Sequence, residues 1–111
     1  MFIAMNRFKV KKGAEGAFEE RWRSRESRLD EMAGFSTFHL LRGPEYDDHT
    51  AYVSHTVWES REAFTAWTTS EQFRDAHKDA GKGPSLTIGH PVFEGFEAVE
   101  RTEVRKEAEA V

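Results

Sequence analysis

Along this chain the hydrophobic period runs strand, helix, strand, strand, helix, strand, and that order predicts a single α+β domain of the ferredoxin-like type. Three observations carry the prediction. Residues 2–10, 35–42 and 51–58 alternate apolar and polar side chains, as half-buried strands do. Residues 15–32 and 64–77 instead place apolar side chains three and four apart, the spacing of a helix face. The length of 111 residues suits one domain, taken as 1–100 with a charged tail over 101–111. Helices would cover one face of the sheet. The other face would need a second sheet, and a second subunit supplies one in a ferredoxin-like dimeric α/β barrel.

Strand one carries Phe2, Ala4, Asn6, Phe8 and Val10 on one face. Asn6 is the misfit, a carboxamide in the middle of an apolar row. A buried amide needs hydrogen-bond partners. Either it bonds a neighbouring backbone group or faces solvent, or it is a donor aimed at a ligand. The first helix is expected over 15–32, with Ala14, Phe18, Trp22, Arg25, Leu29 and Met32 in one stripe. Trp22 is then a core residue or the wall of a pocket. Its charges (Arg21, Arg23, Arg25 and Arg28 against Glu19, Glu20, Glu26 and Asp30) form a solvated face.

Gly34 closes the helix, and strand two follows over 35–42. Its alternation puts Phe35 with His39 and Phe38 with Leu40 on opposite faces. A polar turn over 43–49 leads to strand three, where Tyr52, Ser54, Thr56 and Trp58 share a face. The open sheet face is expected to carry Ile3, Met5 and Phe38. Nothing in the spacing of His39, His49 and His55 demands a metal cluster.

The stretch 64–77 predicts two helical turns with a joint. Ser60 can cap the first. Thr69 and Gln72 have capping-box spacing and would restart the second. On one unbroken helix Trp67 and His77 would stand roughly 80° apart. A restart lets them look into one space. Phe64 with Trp67, and Phe73 with His77, are also ordinary core-facing pairs. Residues 78–91, rich in glycine and proline, are a plain surface loop or a lid. A last strand is expected over 92–99.

Composition removes several functions. A net charge of −4 without a basic block argues against nucleic acid and anionic membrane surfaces. No run is apolar and long enough to span a membrane, and the first six residues do not make a secretory signal. A cytoplasmic protein is expected. With Cys 0, thiolate nucleophiles and thiolate metal sites are excluded together.

Met5-Asn6-Arg7-Phe8, Gly34-Phe35, Thr56-Val57-Trp58-Glu59-Ser60, Ala63-Phe64-Thr65-Ala66-Trp67 and Phe73-Arg74-Asp75-Ala76-His77 together resemble the IsdG-type haem-degrading monooxygenases, within the antibiotic biosynthesis monooxygenase fold family. The first eight residues and His55-Thr56-Val57-Trp58-Glu59-Ser60 are most similar to the HmuQ-like branch. The resemblance spans about residues 1–100. Gly-Phe and Trp-Glu-Ser belong to the wider fold; Asn6, Trp67 and His77 are the specific part. It implies His77 as the axial ligand of haem iron, Asn6 as a hydrogen-bond donor on the distal side, and Trp67 as the side chain that distorts the porphyrin. Phe64, Phe73, Trp22 and Arg25 would line the haem site. Haem would be substrate and cofactor, with O2 and electrons from an external donor such as a reductase, and the protein would be a homodimer. The sequence has no flavin or nicotinamide fingerprint. Two other readings stay open: a cofactor-independent monooxygenase acting on a phenol or quinol, and a haem carrier without turnover.

Overall fold

The computed structural model describes residues 1–25, 27–78 and 83–106. Its elements are β1 (Phe2–Lys11), α1 (Glu15–Arg23), a 3-10 turn (Leu29–Glu31), β2 (Phe35–Glu45), β3 (His49–Trp58), α2 (Arg61–Thr68), α3 (Glu71–His77) and β4 (Val92–Glu97). The sheet is antiparallel with strand order β2-β3-β1-β4, so the expected ferredoxin-like α+β arrangement is present. No helix is long and apolar enough to cross a membrane.

The first helix is shorter than its stripe predicts. α1 stops at Arg23, where the Ser24 hydroxyl turns back to donate to Glu20 O at 3.0 Å. A serine that bonds its own backbone competes with helix propagation. From Arg23 to Arg28 no apolar side chain anchors the chain to the sheet. Arg28 then takes a left-handed conformation with φ 55°, and Leu29 enters the core from the 3-10 turn. Arg25 therefore lies outside the helix.

β2 runs on through Gly43-Pro44-Glu45, leaving a connection of 46–48, while β4 ends at Glu97, two residues early. A register shift between Phe35 and Thr37 puts Phe35 on the helix side, edge-on to Trp58 with centroids 5.4 Å apart. Phe38, paired with Thr56 and stacked on Trp22, also faces the helices. The open sheet face thus carries Ile3, Met5, Val53 and Val57, with exposed Leu41, Val92 and Phe96, but not Phe38. Gly34 adopts φ 81°, and a Cβ there would lie 2.6 Å from Ala63 Cβ, so only glycine fits where β2 passes α2.

Within the 78–91 segment, residues 79–82 lie outside the described residues. The part that follows is pinned. Lys11 N–H donates to Leu86 O at 2.9 Å, Ile88 N–H donates to Lys9 O at 2.8 Å, and Thr87 bridges Val10. Arg21 Nη2 reaches Pro84 O at 3.1 Å. These bonds tie residues 84–88 to β1 and α1.

The core is divided. One cluster holds Phe2, Ala4, Leu29, Trp58 and Trp67; the other holds Val10, Phe18 and Tyr52, with Phe8, Trp22 and Leu40 against it. A domain of this size ordinarily has one contiguous core.

Candidate active site

The division falls at a particular row of the sheet. Leu40 on β2, Ser54 on β3, Asn6 on β1 and Phe93 on β4 lie side by side across all four strands. Ala4, one step along Asn6's face, belongs to the first cluster, and Phe8, one step the other way, packs on the second. Asn6 and Ser54 are therefore a polar pair in the floor between two apolar masses. The alternation that marked Asn6 as a misfit located this break. Ser54 shares its strand face with Tyr52, Thr56 and Trp58, and no motif marks it as functional.

α2 and α3 supply one wall. Ser60 caps α2 by accepting from Ala63 N–H at 3.1 Å. Ser70, rather than Thr69, caps α3, accepting from Phe73 N–H at 3.0 Å. Thr69 Oγ1 donates instead to carbonyls at the end of α2. The serine one residue later wins because its extended backbone, ψ 160°, presents the oxygen to the third amide. This restart brings Trp67, Phe73 and His77 together. The Phe73 and His77 rings stack with centroids 4.0 Å apart, Trp67 meets Phe73 edge-on at 5.3 Å, and Trp67 and His77 lie 6.3 Å apart.

His77 Nδ1 lies 2.7 Å from Phe73 O. A carbonyl only accepts, so Nδ1 carries the proton and donates. Nε2 is left with its lone pair, the arrangement a metal-ligating imidazole needs. Burial lowers the pKa of His77, the Phe73 carbonyl partly opposes that, and the Arg25 charge adds to it. A neutral ring at pH 7 follows.

Arg25 and Trp22 form the facing wall. The Arg25 guanidinium sits over the Trp22 ring at 4.8 Å, and its Nε donates to Ala76 O at 3.1 Å. Arg28 reaches the same helix, donating to Asp75 Oδ2 at 2.6 Å while also holding Glu31. Two arginines of the unwound segment thus fasten α3 one and two residues before His77. Helical periodicity could not show this, because it assigned both to a helix face that does not exist. Phe64 sits farther off, stacked on Phe93 at 5.5 Å, next to Asn6's strand partner.

A groove of about 370 Å3 is lined by Trp22 together with Glu19, Arg23, Phe38, Leu40, Arg42 and Tyr52. Tyr52 donates to Glu19 at 2.5 Å; burial and that bond push its pKa up to about 12. None of Asn6, Trp67 and His77 lines this groove.

The family model for antibiotic biosynthesis monooxygenase matches residues 1–79. The chain belongs to this family. Among antibiotic biosynthesis monooxygenase relatives, a "Heme oxygenase (staphylobilin-producing)" of Staphylococcus haemolyticus is 30% identical over 86 residues, 77% of this chain and 81% of the relative. The heme-degrader MhuD of Mycobacterium tuberculosis, solved with two hemes bound in its active site, superposes with a TM-score of 0.67 at 30% identity, covering 89% of this chain and 96% of that one. A structure described as an antibiotic biosynthesis monooxygenase from Bacillus cereus, at 23% identity, superposes with a TM-score of 0.74 over 96% of this chain and 98% of that one and shares the fold.

Proposed function

We propose that this family member is a haem-degrading monooxygenase. It binds haem in the cleft between the two core clusters and, with O2 and an external reductant, opens the porphyrin ring to a linear tetrapyrrole and releases iron. The observation that carries the reading is the His77 imidazole held by its Nδ1–H to the Phe73 carbonyl, which leaves Nε2 free within the Trp67–Phe73 aromatic cluster. Kinship with the staphylococcal heme oxygenase and the mycobacterial heme-degrader supports it.

The residues fit a flat, apolar, iron-bearing substrate. His77 Nε2 is the donor for the metal. Phe73 stacks on that ring and limits its rotation, while Trp67 offers a rigid apolar surface to one part of the substrate. Haem supplies the iron that activates O2 and the ring carbons that are oxidised. Asn6 contributes N–H donors that are too weakly acidic to give up a proton, so the amide stabilises negative charge without quenching it. Arg25, desolvated beside Trp22, offers a cation at the rim.

Adding hemin is expected to give a Soret band, and supplying a reductant in air is expected to bleach it. No band would favour the cofactor-independent reading, and a stable band would favour a carrier. Asn6→Ala should bind hemin nearly as the parent does and degrade it at least tenfold more slowly. Equal rates would confine Asn6 to a structural role.

Dimerisation belongs to the same proposal. The open face with Ile3, Met5, Val53, Val57, Leu41 and Phe96 is the kind of apolar surface a second copy covers. Light scattering should give twice the 12.8 kDa chain mass, and a stable monomer at micromolar concentration would contradict it.

A further inference from the structure

Two polar side chains are buried among the described residues, and they differ in one respect. Thr50 is 0% exposed and donates to Glu15 Oε2 at 2.8 Å. Ser54 is 6% exposed, and among the described residues its hydroxyl has no hydrogen-bond partner. The fully enclosed side-chain polar atom without a partner is His55 Nδ1, on the open face of the sheet. Ser54 Oγ is therefore not sealed in protein. Ser54 lies on the helix-side face of the sheet, at the row where the core divides.

A hydroxyl that bonds no protein group keeps its donor free for a partner. Asn6 stands directly across the strand pair from it. Residues opposite one another in an antiparallel pair have Cβ atoms about 5 Å apart, within reach of a bond after a serine rotamer change. The Asn6 carboxamide has a donating end and an accepting end of nearly equal size, and among the described residues it donates to nothing. Left alone, it can present either end to the cleft.

We infer that Ser54 is the positioning residue for Asn6: with haem in the cleft, its hydroxyl donates to Asn6 Oδ1 and turns the Asn6 NH2 group toward the distal side of the substrate. The inference rests on the proposed haem site. Ser54 touches no reacting atom; it selects which end of the amide faces them. The position is uncommitted in the haem-free protein because its partner is engaged only when the cleft is filled.

The test compares the parent with Ser54→Ala, Ser54→Thr and Ser54→Val. Haem-free Ser54→Ala should melt at or above the parent temperature, since it loses a hydroxyl that bonds nothing. A lower melting temperature would assign the hydroxyl a structural bond and overturn the inference. In the ferrous, carbon monoxide-bound form, Ser54→Ala and Ser54→Val should shift the C–O stretch, and Ser54→Thr should keep the parent value. Degradation should slow about tenfold in the first two and recover in the third. In an Asn6→Ala background, Ser54→Ala should add nothing to the shift or the rate loss, because the two act as one unit. Additive effects, or an unchanged stretch in Ser54→Ala, would refute the pairing while leaving the haem site standing. A parent protein that gives no Soret band with hemin would remove both.

Discussion

His77→Ala is expected to leave the protein folded and to abolish its ordered ferric-haem spectrum. The two halves of that outcome have separate causes. α3 buries no residue and carries its own Ser70 cap, so removing one imidazole costs the fold little. Under the proposed role, the iron would lose the Nε2 that the Nδ1–H bond to the Phe73 carbonyl leaves free. Affinity should fall at least tenfold, about 1.4 kcal/mol, and imidazole added to the solution should restore part of the spectrum. An unchanged spectrum would make His77 a packing residue. The pH dependence has a definite sign. Burial holds the folded-state pKa below the ordinary 6.5. The unfolded chain therefore takes up that proton more readily than the folded one. The neutral ring's contribution to stability is complete above about pH 6.5 and is lost as pH falls through the folded value. Haem affinity should follow the same course, level at neutral and alkaline pH and falling in acid, as a spectrophotometric titration would show.

Trp67→Ala should have the larger effect on stability. Trp67 is 7% exposed, lies in the cluster with Phe2, Ala4, Leu29 and Trp58, and meets the rings of Trp58, Phe73 and His77. Truncating a buried tryptophan to alanine costs about 3–5 kcal/mol. In a domain of this size that lowers the melting temperature by more than about 10 °C. The alanine variant therefore confounds folding with catalysis. Trp67→Phe keeps most of the packing and isolates the proposed contact with the porphyrin: binding retained, degradation slowed, and haem methyl NMR shifts moved toward those of a planar ring. Parent rates and shifts in Trp67→Phe would confine the indole to the core.

How much of this could be read from residues alone varies along the chain. The strands and their order along the chain followed from alternation, because a period of two leaves little freedom once one face is buried. Asn6 stood out for the same reason. Two serines were harder. Ser54 sits where alternation allows either a polar or an apolar residue, and only its lack of a partner marks it. Ser70 lost to Thr69 on motif spacing, since both precede α3 and the choice depends on backbone angles. The unwound segment after Arg23 defeats periodicity altogether. Trp22 and Leu29 keep helical spacing across it, yet they end in different clusters. Spacing records which residues could share a face and is silent on whether the backbone between them stays helical.

The independent cap of α3 bears on how such a family diversifies. Asn6 and Ser54 lie in the middle of the sheet, on strands paired on both sides. The His77 imidazole stands at the end of a seven-residue helix with no fully buried side chain, fastened by two arginines and begun by its own serine. The histidine is thus carried by one short segment rather than by the paired strands. Under the proposed haem role, substitutions confined to this short helix would alter the iron ligand while leaving the pairing of the sheet intact.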